Sequence, residues 1–173
     1  MKVLITSDSH GLTRELSELV ERHQSDVQLF IHCGDSELPS DAEEMMPFNA
    51  VKGNCDLSSA GYPNDLIKTI GDLKFFVTHG HLYNIKMSPM NLLYKADETG
   101  ADIVCFGHTH NAVSFQEGKK IFINPGSLRL PRGIDEKTYV ICEINYKKKE
   151  VYVNFYNQDG EPVRSLSKTY CLD

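Results

Sequence analysis

Five short apolar runs in this 173-residue chain each end on a cluster of Asp, Asn, His or Gly, and that repetition constrains the fold more than any other feature. Lys2–Thr6 leads to Asp8 and His10, residues 27–32 lead to Gly34 and Asp35, and Ala50 and Val51 lead to Gly53 and Asn54. Leu73–Thr78 leads to His79 and His81, and residues 103–106 lead to Gly107, His108 and His110. A short apolar run bounded by turn residues reads as a buried strand. Leu16, Leu19, Val20 and His23 recur at helical spacing after the first run. Ser88 as N-cap, Pro89 at the first helical position and Gly100 at the end bracket a second helix through Leu92, Leu93 and Ala96. Strands alternating with helices predict an α/β layered fold.

The rest of the chain is strand-rich. Asp65–Ile70 and Leu73–Thr78 flank the turn Gly71-Asp72 as a hairpin. Beyond Ala112, runs at 113–116, 121–124, 139–145 and 151–156 are joined by tight turns, which predicts a β-meander for the second half. It closes with a C-terminal hairpin and tail over 137–173, where residues after Gly160 show little periodicity. The length predicts one domain over residues 1–173.

Composition excludes several classes of function. A formal charge of -6 disfavours extended binding to a nucleic-acid backbone, which depends on Lys and Arg neutralising phosphates. The longest apolar runs fall far short of the roughly 20 residues a membrane-spanning helix needs. The first residues reach Asp8 and His10 without a signal-like apolar segment. Five cysteines, an odd number with no CxxC pair, predict a reducing compartment, the cytoplasm.

In open α/β sheets, ligands bind beyond the carboxyl ends of the strands. Asp8, His10, Asp35, Asn54, His79, His108 and His110 are therefore expected as neighbours in space. Imidazole with carboxylate and amide oxygens suits Mn, Fe, Ni, Co or Zn better than Ca, and the inventory is sufficient for two ions. Asp35 has two oxygens with which to bridge a pair, and Gly34 and Gly53 read as tight turns beside it. His23 and His32 fall outside the clusters and read as ordinary partly buried residues. Cys33, Cys105 and Cys142 read as apolar filler, and residues 147–149 as a solvated lysine turn. Arg129 and Arg132 could touch a bound anion or its leaving group, or stand as surface residues.

Asp8-Ser9-His10, Gly34-Asp35, Gly53-Asn54-Cys55-Asp56, His79-Gly80-His81 and Gly107-His108-Thr109-His110 resemble, in order and spacing, the five signature blocks of the calcineurin-like metallophosphoesterases. The resemblance extends from Met1 to about Ser127. It includes the turn Asn124-Pro125-Gly126-Ser127, typical of the small single-domain phosphodiesterase branch of bacteria and archaea. It implies a four-layer α/β/β/α sandwich of two mixed β-sheets flanked by helices. It implies, too, a metal-dependent phosphodiesterase working by in-line attack of a hydroxide that bridges two divalent ions. Asp8, His10 and His110 would hold one ion and Asn54, His79 and His108 the other, with Asp35 bridging. Mn comes first among the metals, with Ni, Fe, Zn or Co as alternatives.

Asn54 and His81 would orient the phosphate. Cys55 stands where much of the superfamily carries a histidine that is a candidate proton donor. A thiol, with a free pKa of roughly 8.5, is a less natural acid at neutral pH, and His81 is a candidate substitute. The implied partner is a small phosphoester, and self-association into a homo-oligomer stays open. The alternatives are a phosphomonoesterase or protein phosphatase, and a non-catalytic protein-binding scaffold like the retromer subunit of the superfamily.

Overall fold

A computed structural model describes residues 1–172 as two β-sheets packed face to face with a helix outside each. Strands β1 (Lys2–Thr6), β2 (Leu29–His32) and β3 (Phe48–Ala50) run parallel, with helix α1 (Arg14–His23) crossing from β1 to β2. β9 (Thr138–Asn145), β10 (Glu150–Asn157) and β11 (Lys168–Cys171) extend this sheet antiparallel, giving the order β11-β10-β9-β1-β2-β3. The second sheet has the order β4-β5-β6-β8-β7, from β4 (Asp65–Ile70), β5 (Leu73–Thr78), β6 (Ile103–Cys105), β7 (Val113–Glu117) and β8 (Lys120–Asn124). Helix α2 (Met90–Thr99) connects the parallel pair β5 and β6. The result is the four-layer α/β/β/α sandwich of two mixed sheets that the signature blocks imply.

The layering follows from side-chain alternation along each strand. Val3 and Ile5 of β1, Phe75 and Val77 of β5, Ile103 and Cys105 of β6 and Ile121 and Ile123 of β8 all point into the space between the sheets. The intervening residues point outward. Leu4, Tyr139 and Ile141 meet Leu16 and Leu19 of α1, while Phe76, Val104 and Phe122 meet Leu92 and Ala96 of α2. Central strands buried on both faces have to be apolar throughout, hence the unbroken runs in the sequence.

Three expectations need correction. The chain after Ala112 is not one meander. β7 and β8 form a hairpin in which β8 lies parallel to β6, and the chain then crosses to the other sheet for β9 to β11. β11 was not expected, because an edge strand with only Tyr170 buried carries no apolar alternation. Helix α2 has Pro89 rather than Ser88 at its N-cap, although the Ser88 hydroxyl does accept the Met90 N–H at 3.2 Å. No helix among the described residues is long and apolar enough to cross a membrane.

Candidate metal centre

The loops that follow β1, β2, β3, β5 and β6 converge at one end of the sandwich, and backbone hydrogen bonds lock them together. The Asp8 N–H donates to Gly34 O at 3.0 Å, His10 to Asp35 O at 3.0 Å, and Gly107 to His79 O at 3.2 Å. Close approach of these loops explains the glycines. A Cβ at Gly34, where φ is +94°, would lie 2.8 Å from His79 Nδ1. Gly53 has no left-handed φ, so it is not the turn its sequence suggests. Any side chain there would overlap Asp35 Oδ1, and the requirement is for space. Asp8, His10, Asp35, His108 and His110 themselves sit at positive φ, between 45° and 67°. Such strain in non-glycine residues clusters at functional sites.

All seven expected ligand residues are brought together. Candidate ligand atoms of Asp8, His10 and His110 lie within 4.8 Å of one another, as do those of Asp35, His79 and His108, and those of His10, Asp35 and Cys55. Three imidazoles are fixed through their outer nitrogens: His10 Nδ1 to Glu37 Oε1 at 2.7 Å, His79 Nδ1 to Cys33 O at 2.8 Å, and His110 Nδ1 to Leu130 O at 2.7 Å. An oxygen acceptor puts the proton on Nδ1, so each Nε2 of a neutral ring presents a lone pair inward. Those lone pairs face one another and the carboxylates. His10 Nε2 is 3.3 Å from His110 Nε2, and His110 Nε2 is 3.1 Å from Asp8 Oδ1. His79 Nε2 is 3.3 Å from Asp35 Oδ2 and 3.2 Å from Asn54 Oδ1. Asp8 Oδ1 is buried and makes no hydrogen bond.

Only positive charge reconciles such a cluster of acceptors, and the directions in which the His110, His79 and Asp35 pKa values move agree with it. The approach of the Asp8 carboxylate raises the His110 pKa, and for His79 a burial that would lower the pKa is outweighed by Asp35 and Asp8. Burial opposes charging Asp35, yet His79 and the Cys55 N–H hold its carboxyl below the usual carboxylate range. His108, desolvated beside His79, is pushed down to about 4. A divalent cation supplies the charge without a proton, so the residues present fit divalent metal ions.

The remaining expected site residues lie at the rim. The His81 ring centroid is 5.2 Å from that of His79 and 6.0 Å from that of His108, and its Nδ1 is buried without a partner. The Cys55 thiol is exposed and accepts from Asn54 Nδ2 at 3.3 Å. Burial and the neighbouring Asp35 push its pKa up to about 11.

Four supporting residues were not legible as such. Asp56 accepts backbone N–H groups from Asp35, Glu37 and Gly53. Glu37 orients His10. His32 is fully buried rather than partly so, and meets Ser9 Oγ at 2.9 Å. The Arg129 guanidinium donates through Nη1 to the His10 carbonyl, which makes it a strut of the ligand loop. The block Gly53 to Asp56 contained the signal for Asp56; Arg129 stands out in the sequence only as a possible phosphate contact and His32 only as an ordinary partly buried residue, and nothing marked Glu37.

Comparison with known proteins identifies the family. The profile of the calcineurin-like phosphoesterase superfamily domain matches residues 1–147. The chain is 44% identical over 172 residues to the probable metallophosphoesterase YsnB of Bacillus subtilis, covering 99% of this chain and 100% of that one. It is 32% identical to a phosphodiesterase of Methanocaldococcus jannaschii over 145 residues, covering 73% and 83% of the two chains. The crystal structure of a predicted phosphoesterase from Streptococcus pneumoniae superposes with a TM-score of 0.92 at 38% identity, covering 98% of this chain and 96% of that one. This chain therefore belongs to the calcineurin-like phosphoesterase superfamily and is a hydrolase acting on phosphoester bonds.

Proposed function

We propose that the protein is a single-domain, metal-dependent phosphodiesterase in which water, made acidic by two divalent cations, attacks phosphorus in line. Asp8, His10 and His110 would hold one cation and Asn54, His79 and His108 the other, with Asp35 between them. Mn is the first candidate by the family resemblance, with Ni, Fe, Zn or Co as alternatives, because a set of imidazole and oxygen donors accepts them all and occupancy follows availability. The observation that carries this reading is the inward set of Nε2 lone pairs opposite Asp8 Oδ1 and Asp35 Oδ2, each ring fixed through its Nδ1.

The chain's own groups then have distinct tasks. Glu37, Cys33 O and Leu130 O hold the tautomers and ring planes of His10, His79 and His110. Two carboxylates against two divalent charges leave the site cationic, so an anionic substrate is attracted despite the overall charge of -6. Burial, then His79, lowers the His81 pKa, which favours the neutral ring. With its Nδ1 buried and bare, its Nε2–H is left to donate to a phosphoryl oxygen. Asn54 offers its amide beside it.

We take the substrate to be a diester rather than a monoester, as the resemblance to the small single-domain branch implies. The relationship to the Methanocaldococcus phosphodiesterase supports the same choice. Free thiols at Cys33, Cys105 and Cys142, side by side in the core, fit a reducing compartment, and we assign the protein to the cytoplasm. The test is to strip the protein of metal, add back Mn, Ni, Zn, Fe or Mg singly, and follow an aryl phosphodiester beside its monoester. Diester turnover that needs metal is the expected result. Preference for the monoester would make it a phosphatase, and no turnover with two ions bound would make it a protein-binding scaffold.

A further inference from the structure

Beside the metal centre, the loops that carry Asp35 and Asn54 enclose a cavity of about 180 Å³ lined by Glu37, Leu38, Pro39, Leu57, Ser59 and Ala60. It adjoins the ligand ring through Glu37, which forms its wall and also bonds His10 Nδ1 at 2.7 Å. Ties at both ends hold the cavity open. At the inner end, Asp56 takes the Glu37 N–H at 2.7 Å and the Gly53 N–H at 2.7 Å, clamping one loop to the other. At the outer end, the Ser40 N–H donates to Ala60 O at 2.8 Å. A preformed, largely apolar cleft with a few polar groups is the usual form of a small-molecule site.

The lining defines what fits. Leu38, Pro39, Leu57 and Ala60 offer apolar surface, and Leu57 is 73% exposed at the mouth, where a ligand would cover it. A dry cavity of about 150 Å³ is sufficient for a benzene ring. Ser59 provides one hydroxyl, and the Glu37 carboxylate disfavours an anionic occupant. We infer that this cavity binds an uncharged aromatic ester arm of the substrate, so that the enzyme selects phosphodiesters bearing such an arm beside the phosphate. The inference rests on the phosphodiesterase reading and adds the substrate class to it.

The test separates the two by measuring binding without turnover. The metal-loaded, full-length protein is titrated calorimetrically with phenylphosphonate, methylphosphonate and 4-carboxyphenylphosphonate, each with one arm on a carbon–phosphorus bond a phosphoesterase does not cleave. Phenylphosphonate is expected to bind about tenfold or more tightly than methylphosphonate, the low end of what burying an aromatic ring provides. The 4-carboxyphenyl arm should lose that gain. Ser59→Trp, which fills the mouth from an exposed position, and Leu57→Asn, which removes apolar surface without adding charge, should each bring phenyl and methyl to equal affinity while leaving methylphosphonate binding unchanged. Equal affinities in the unaltered protein, or a phenyl preference that survives Ser59→Trp, would overturn the subsite while diester hydrolysis stood. A 4-carboxyphenyl arm bound as tightly as phenyl would overturn the requirement for an uncharged arm. Failure of every diester to turn over, with the phenyl preference intact, would instead overturn the phosphodiesterase reading.

Discussion

The Asp56 carboxylate accepts the backbone N–H of Asp35 at 2.8 Å, so a residue that touches no candidate ligand atom sets the position of the carboxylate at the centre of the site. The same side chain takes the N–H groups of Glu37 and Gly53 and the hydroxyl of Ser36 at 3.1 Å. Both oxygens face donors, and the residue is only 5% exposed. Asp56→Asn turns an NH2 group toward N–H donors. The expected loss is about 2–4 kcal/mol of stability, read from urea denaturation, with diester turnover falling as well. An unchanged denaturation midpoint would show that the clamp is dispensable.

Gly53 is held to glycine by space alone, because a Cβ would overlap Asp35 Oδ1. Gly53→Ala is expected to cost about 1–3 kcal/mol through overpacking and to displace the Asp35 carboxylate. Metal titration of the variant should show weakened binding. Wild-type affinity would mean that the loop yields without moving Asp35.

Glu37 fixes the His10 ring from outside the ligand set. Removing such an outer partner typically weakens metal binding roughly 10- to 100-fold, and Glu37→Ala should fall in that range when competed against a chelator. Arg129→Ala, which removes the strut on the His10 carbonyl, should act in the same direction. Wild-type metal affinity in both variants would show that His10 keeps its position unaided.

His32 gives a pH dependence of defined sign. Burial pushes its pKa down to about 4, and its Nδ1 already accepts the Gly34 N–H at 3.2 Å, so the folded state requires the neutral ring. A folded pKa below the unfolded one, about 6.5, contributes stability that is present above that value and lost as pH falls toward 4. From about pH 7.5 to about pH 5 the loss from this group should be about 2 kcal/mol. It is read as the difference in urea stability between the metal-stripped protein and His32→Asn, whose own pH slope should be shallower. Parallel slopes for the two proteins would contradict this account.

Much of this was legible in the sequence for a physical reason. Asp8, His10, Asp35, Asn54, His79, His108 and His110 lie where apolar runs stop, and strand ends in an α/β sheet share one edge. The alternation that separates Leu4 from Val3 and Ile5 is invisible when every residue of a strand is apolar, so the two-sided burial could be seen only in the layers. The pairing of β8 with β6, and the crossing of the chain from β8 to β9 in the other sheet, are long-range choices that no local signal marks. The struts were hidden for a similar reason. Arg129 reaches His10 across 119 positions and Glu37 reaches it across 27, contacts that exist only once the loops have met.

The most direct measurement of the central claim is the number of divalent ions bound per chain, determined by elemental analysis after Mn reconstitution, alongside diester turnover in the same samples. The account predicts two ions in the unaltered protein. In Asp35→Asn it predicts loss of at least one ion, with turnover falling about 100-fold or more, the scale of losing one electrostatic element of a catalytic site. Full diester turnover with a single ion bound, or two ions and undiminished turnover in Asp35→Asn, would contradict it.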